Sequence, residues 1–237
     1  MTFSEVVEAR RSVRVYDTEA PFDDEAVATA LKHAILAPNS NNLQLWEFYR
    51  VKSTEKKDAL ARACFSQPAA STARELVVVV ARPDLWQSRN QQLLDYFRKQ
   101  SSGPDDPAFK GVMKYYGEDI PRLYETGVLG LSGLFKKWRA NQKKSDQPVS
   151  RELSQTDMRI SAHRTAALAA QTFMLSIKSQ GYDSCPMEGF DSKMVKEQLG
   201  LPEAAEINMV IGVGPGKEEG VYGPRYRLPI EEVVFEI

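Results

Sequence analysis

Leu76-Val77-Val78-Val79-Val80-Ala81 decides the fold class. Six apolar residues, four of them valine, are too few for a core helix and show no polar alternation. Such a run predicts a central strand, covered on both faces by other elements. Upstream, Ser53–Ala63 reads as a helix, and Glu47–Lys52 as a strand carrying Phe48 and Val51 with Tyr49 between them. Further back, Asp23 and Asp24 open a helix with Val27, Leu31 and Ala34 on one face, and Pro38 marks its end. Thr2-Phe3-Ser4-Glu5 has the spacing of a capping box and opens a short helix through Arg10. Downstream, Thr156–Gln180 is an Ala-rich helix stopped at Gly181. Asp191–Leu199 is a short helix ended by Gly200, Ile207–Val213 is a strand, and Glu232–Ile237 is β-prone. Strands alternating with helices indicate an α/β or α+β fold.

Residues from about 82 to 155 interrupt this pattern. They are polar and aromatic, punctuated by Gly103, Pro104, Pro107 and Pro121, and read as an excursion from the sheet within a single domain over residues 1–237. Within it, Leu123–Lys144 looks helical, with Lys136, Lys137, Arg139, Lys143 and Lys144 at its basic end.

Composition excludes several classes. With 42% hydrophobic and 27% charged residues, the 237-residue chain is globular in composition. The longest apolar run, Val128–Phe135, is broken by Gly130 and Gly133 and cannot span a bilayer. The N-terminal residues show no secretory signal. Cys64 and Cys185 support neither a disulfide framework nor a zinc site, which sets a cytoplasmic location as the expectation. Gly212-Val213-Gly214-Pro215-Gly216-Lys217 fails as a phosphate loop because Glu218 stands where Ser or Thr must follow the Lys. It fails as a dinucleotide fingerprint because Lys217 replaces the third Gly, so it reads as a strand exit. His163 reads as a structural residue that packs on its helix or makes a hydrogen bond, ahead of a catalytic role.

The net charge is −1, yet Arg10-Arg11-Ser12-Val13-Arg14 and Arg225-Tyr226-Arg227 are locally basic. In a neutral protein such guanidinium clusters suit one specific anion, held by bidentate hydrogen bonds, rather than nucleic acid. If the fold brings the two together, they form a phosphate site. Two further segments lie between them: Ala37-Pro38-Asn39-Ser40-Asn41-Asn42-Leu43-Gln44-Leu45-Trp46 and Gly181-Tyr182-Asp183-Ser184-Cys185-Pro186-Met187-Glu188-Gly189-Phe190-Asp191. With Pro224-Arg225-Tyr226-Arg227-Leu228-Pro229 closing the series, the four segments in this order resemble the nitroreductase family of flavoproteins.

That resemblance implies an α+β fold with a central mixed β-sheet flanked by helices. It also implies a homodimer with FMN at the subunit interface, and a C-terminal segment embracing the partner subunit. NADH or NADPH would be the transient donor. A nitroaromatic, quinone or similar electron-poor small molecule would be the acceptor in a ping-pong hydride or electron transfer, with no membrane or nucleic-acid partner. Carried over position by position, Arg10, Ser12, Arg225 and Arg227 match the phosphate and ribityl contacts, and Arg11 an intervening backbone position. Arg14 matches the basic residue near the pyrimidine edge, and Asn42 the Asn near the ring. Gln67 matches, loosely, an amide before the central strand. Pro186, Met187, Glu188 and Gly189 match the loop lying against the ring, with the Glu188 backbone N–H as donor to flavin N5. No side chain is assigned as nucleophile. Leu45 departs from the family by standing where Pro precedes the Trp, and Asn39 by replacing a Ser.

Plainer alternatives stay open for each segment. Arg225 and Arg227 can pair with Glu231 and Glu232, Asn39 to Asn42 can be only a turn, and Tyr115, Tyr116, Tyr124, Phe135 and Trp138 can be core or dimer contacts rather than an aromatic lid. A flavin-binding or sensor protein with little turnover is the alternative function. A third reading places nucleic acid or acidic lipid on the Lys136–Lys144 stripe.

Overall fold

The computed structural model describes residues 1–103, 106–124 and 154–237. Its centre is a four-stranded sheet built from β1 (Trp46–Val51), β2 (Glu75–Ala81), β3 (Asp183–Met187) and β4 (Glu206–Gly214), in the order β1-β2-β4-β3. All seven residues of β2 are buried. Val77, Val79 and Ala81 enter one core while Leu76, Val78 and Val80 enter another, as expected of a strand covered on both faces. The ladders β1–β2, β2–β4 and β3–β4 are all antiparallel, with an irregularity between Val79 and Val80. The mixed pairing expected of the sheet is thus corrected to an antiparallel one, with an isolated parallel bridge between Ser12 and Ser184 at the β3 edge.

The first face is covered by α2 (Glu25–Ala34) and the long helix that follows residue 153. Along that helix, Ala162, Ala166, Ala169, Ala170, Phe173 and Ile177 pack against Val27, Ala30 and Ala34. The alanines leave room for close helix approach, and a capping box between Ser154 and Asp157 starts the helix at Gln155. The second face is covered by α3 (Thr54–Ala63), by α4 (Pro68–Ser71) and by the helix Ser192–Leu199. Asp191 caps that last helix, and Gly200, at φ 64°, ends it in the left-handed conformation. At the N-terminus, α1 (Phe3–Ala9) carries the expected capping box of Thr2 and Glu5.

Three elements differ from expectation. β3 was hidden in a segment that reads as a loop because it contains Asp183 and Pro186; Pro186 is tolerated because β3 is an edge strand. The excursion contains α5 (Trp86–Gln100), a largely polar helix whose inward face carries Trp86, Leu93, Leu94 and Phe97 with the buried polar Asn90 among them. Glu232–Ile237 forms no strand: a 3₁₀ turn at Ile230–Glu232 opens an exposed tail that has no neighbouring strand among the described residues. Only Leu123 and Tyr124 of the expected helix Leu123–Lys144 are described, and both are helical. The run Val128–Phe135, the basic residues Lys136 to Lys144, and Trp138 lie outside the described residues. Among those described, no helix is long and apolar enough to cross a membrane.

Tyr16 pins the N-terminal segment to the sheet. It is 1% exposed and its hydroxyl donates to the Gly212 carbonyl at 2.8 Å. Burial pushes its phenol well above the ordinary range, so it remains a donor. Tyr16→Phe leaves that buried carbonyl one partner short, and a loss of about 1–2 kcal/mol is expected in urea unfolding of the flavin-free protein. An unchanged midpoint would show that this hydroxyl contributes nothing to stability.

Candidate functional site

The first basic cluster begins where α1 stops. Arg10 leaves the helix in an extended conformation, and the chain runs along β3 with the Val13 N–H donating to the Ser184 carbonyl at 3.2 Å. Val13 and Tyr16 turn into the core, while Arg10, Arg11, Ser12 and Arg14 stay partly exposed. The C-terminal segment then returns across them. The Arg14 N–H donates to the Gly220 carbonyl at 2.8 Å. Gly220 sits so close that an added Cβ would lie 2.7 Å from the Val15 nitrogen, so only glycine allows this crossing. Arg11 donates to the Gly223 carbonyl at 2.8 Å, and Arg225 donates to the Arg10 carbonyl. The Arg14 guanidinium lies over the Tyr222 ring, 4.9 Å from its centroid.

These contacts close a cavity of about 180 Å³ lined by Arg10, Arg11, Ser12, Arg14, Arg225 and Arg227, with Tyr222, Pro224 and Tyr226. The two basic clusters therefore meet, across more than 200 residues of sequence. Among the described residues none of these five guanidiniums is ion-paired with a carboxylate, and the pairing of Arg225 and Arg227 with Glu231 and Glu232 is absent. Partial burial, and then the charges of Arg225 and Arg227, lower the Arg10 pKa. Like charges are held together here without compensation, which is the state of a site arranged for a polyvalent anion. A phosphomonoester dianion matches that donor set.

A second group lies further along β3. The strand runs from Ser184, beside Ser12, to Pro186 and the buried Met187, and then exposes Glu188 and Gly189. Gln67 reaches this loop, its side-chain amide donating to the Gly189 carbonyl at 2.9 Å and to the Cys64 carbonyl at 3.0 Å. Phe65 and Ser66, at φ 57° and 52°, make the left-handed step that aims Gln67 there. Gln67 thus joins the Gly189 loop, although its side-chain amide hydrogen bonds go to backbone carbonyls.

Asn42 stands apart from both groups. It belongs to the turn that leads into β1, and β1 and β3 are opposite edges of the sheet. It is exposed, and among the described residues its side-chain amide has no hydrogen-bond partner. The preceding Asn41 is held by Tyr115, Tyr116 and Tyr124 of the excursion. Tyr116 and Tyr124 are core residues, in line with the plainer reading of these aromatics.

Sequence reasoning missed Tyr222 and the Asn41 contacts. A tyrosine directly before Gly223-Pro224-Arg225 was the available signal for the first; the second depends on packing between distant segments. His163 is structural, as expected: its Nε2 lies 2.9 Å from Glu206 Oε2 and its Nδ1 lies 3.0 Å from Asn208 Nδ2. No group of three metal-ligating side chains exists among the described residues.

Known proteins resemble this chain over nearly its whole length. The family model described as "Nitroreductase family" matches residues 7–215. The Bacillus subtilis protein named "Putative NAD(P)H nitroreductase YdgI" is 27% identical over 98% of this chain and 95% of its own length. The crystal structure of a nitroreductase family protein from Streptococcus pneumoniae superposes with a TM-score of 0.71 at 22% identity, covering 100% of both chains. An Exiguobacterium sibiricum structure, described as "a putative nitroreductase in complex with FMN", gives a TM-score of 0.69 at 24% identity, covering 100% of this chain and 98% of that one.

Proposed function

We infer that this chain, which belongs to the nitroreductase family, is an FMN-dependent oxidoreductase that draws electrons from NADH or NADPH. Its acceptor is an electron-poor small molecule of the nitroaromatic or quinone type. The observation that carries this reading is the convergence of five guanidiniums, unpaired with carboxylates among the described residues, on one cavity. When bound, FMN would supply the redox chemistry, a two-electron transfer between nicotinamide and acceptor.

The chain's own residues bind, orient and polarise. Arg10, Ser12, Arg225 and Arg227 hold the phosphate and ribityl chain, and Arg11 fixes the C-terminal crossing through Gly223. Arg14, set by Tyr222, would place a fixed cation near the pyrimidine edge, where it would favour negative charge. Pro186, Met187, Glu188 and Gly189, steadied by Gln67, would hold the ring, with the Glu188 N–H as the donor toward N5. The site is completed by a second copy of the chain. Asn42, at the opposite sheet edge from the arginine cavity, serves the partner's flavin. The C-terminal segment, with Tyr226, Ile230, Val233, Val234 and Phe235 all at least 55% exposed, embraces the partner. Residues 1–237 form one domain in this reading, the excursion shaping acceptor access, and the free thiols Cys64 and Cys185 suit the cytoplasm.

The test is anaerobic reduction of the FMN-loaded protein. NADPH or NADH is expected to bleach the flavin absorption, and 1,4-benzoquinone or a nitrofuran to restore it. Retained flavin that neither donor bleaches would replace this reading with that of a flavin-binding or sensor protein.

A further inference from the structure

Asn39-Ser40-Asn41-Asn42-Leu43-Gln44 is a strained turn. Asn41, Asn42 and Gln44 have φ of 56°, 52° and 49°, and none is glycine. Left-handed residues in such numbers persist only where neighbouring structure holds them. Part of the hold is local: Asn39 Oδ1 accepts from the Gln44 N–H at 2.9 Å, and Leu43 and Leu45 are buried.

The long helix adds one bond, from the Ser40 N–H to Thr165 Oγ1 at 3.4 Å, and the excursion adds three, all on Asn41. The Tyr115 hydroxyl donates to Asn41 Oδ1 at 2.7 Å, the Tyr116 hydroxyl donates to the Asn41 carbonyl at 3.2 Å, and Asn41 Nδ2 donates to the Tyr124 hydroxyl at 3.3 Å. Tyr115 and Tyr116 open a π-helical turn, Tyr115–Asp119, a rare geometry that concentrates at functional sites. This clamp is itself fixed. The Tyr116 ring stacks on Phe97 at 5.6 Å, its carbonyl accepts from the buried Asn90 amide at 2.7 Å, and Tyr124 stacks on Trp86 at 5.2 Å. The next residue along is Asn42, exposed, with its amide free of partners among the described residues.

We propose that Tyr115 and Tyr116 are positioning residues of the FMN site, acting through Asn41 to hold the turn that presents Asn42. This rests on the functional reading above. It gives the excursion a second task besides shaping acceptor access: a change in its conformation alters the flavin contact as well.

The test is the Tyr115→Phe/Tyr116→Phe double variant, which keeps both rings and removes only the hydroxyls. The FMN Kd is expected to rise about tenfold, the visible circular dichroism of bound FMN to change, and the amides of residues 39–44 in flavin-free protein to exchange faster while β2 is unaffected. Tyr96→Phe, on the exposed side of α5, leaves all three unchanged. In an Asn41→Gly background, where the left-handed conformation needs less support and the Tyr115 bond to Oδ1 is already gone, the double variant costs clearly less in Kd than in the wild-type background, the Tyr116 bond to the backbone carbonyl being the part that remains. Wild-type protein that takes up no FMN overturns the functional reading, and this inference with it. Normal uptake by wild type, with unchanged Kd, circular dichroism and exchange in the double variant, overturns this inference alone.

Discussion

Replacing Arg225 with alanine is expected to raise the FMN Kd about 10–100-fold, the range of one lost charge-assisted hydrogen bond to a dianion. The turnover of FMN-saturated enzyme should change less than about threefold, because the role proposed for this side chain lies at the phosphate end and contributes nothing differential to the reacting ring. The flavin-free protein makes the sharper contrast. Five guanidiniums share one small cavity, where burial and then the charges of Arg225 and Arg227 lower the Arg10 pKa. Removing one of them relieves that repulsion while also losing the hydrogen bond to the Arg10 carbonyl. The melting temperature without FMN should therefore move little, whereas the stabilisation conferred by added FMN should shrink with the affinity. Arg225→Lys should fall between wild type and alanine, keeping the charge without the planar fork. Titration of FMN fluorescence at two ionic strengths checks this, and the affinity difference should narrow at high salt. An unchanged Kd in Arg225→Ala would remove Arg225 from the phosphate site.

The second large effect is structural. A Cβ on Gly212 would lie 2.1 Å from the Ala69 carbonyl oxygen and 3.3 Å from the Tyr16 ring. The nearer atom is backbone, so relief requires moving α4 away from the sheet or breaking β4 between its partners Leu76 and Cys185. Gly212→Ala is expected to cost about 3 kcal/mol, the upper end for overpacked core substitutions, and to lower the melting temperature by roughly 6–12 °C. If the Gly212–Lys217 run were instead a nucleotide loop, the substitution would leave stability near wild type and weaken NAD(P)H binding. Urea unfolding of flavin-free protein separates the two. A stability within about 0.5 kcal/mol of wild type would contradict the packing argument.

The legible parts of this fold are those in which one physical effect dominates. Leu76–Ala81 announced a doubly covered strand because nothing polar interrupts it, and the structure divides its residues between two cores. Gly181 and Gly200, both at positive φ, marked helix ends correctly. Legibility failed where tertiary context overrides local preference. β3 is a strand because β4 pairs with it despite Pro186, whereas the β-prone Glu232–Ile237 has no strand to join among the described residues. At the site, the sequence showed two basic clusters and a rule for their joining, and the fold brings six of the named residues around one cavity. It did not show what brings them there: Gly220 crossing Val15, Arg11 bound to Gly223, Arg225 bound to Arg10. Nor did it show the tyrosines on Asn41, since contacts between segments some 75 residues apart leave no local pattern.

The central claim is that the arginine cavity recognises the phosphate of a flavin. The most direct measurement compares the affinities of the wild-type protein for FMN and for riboflavin, which differ only in that phosphate. The account predicts FMN bound at least about 100-fold more tightly, with the preference falling toward unity in Arg10→Ala/Arg225→Ala. Equal affinity for the two in the wild-type protein would contradict it.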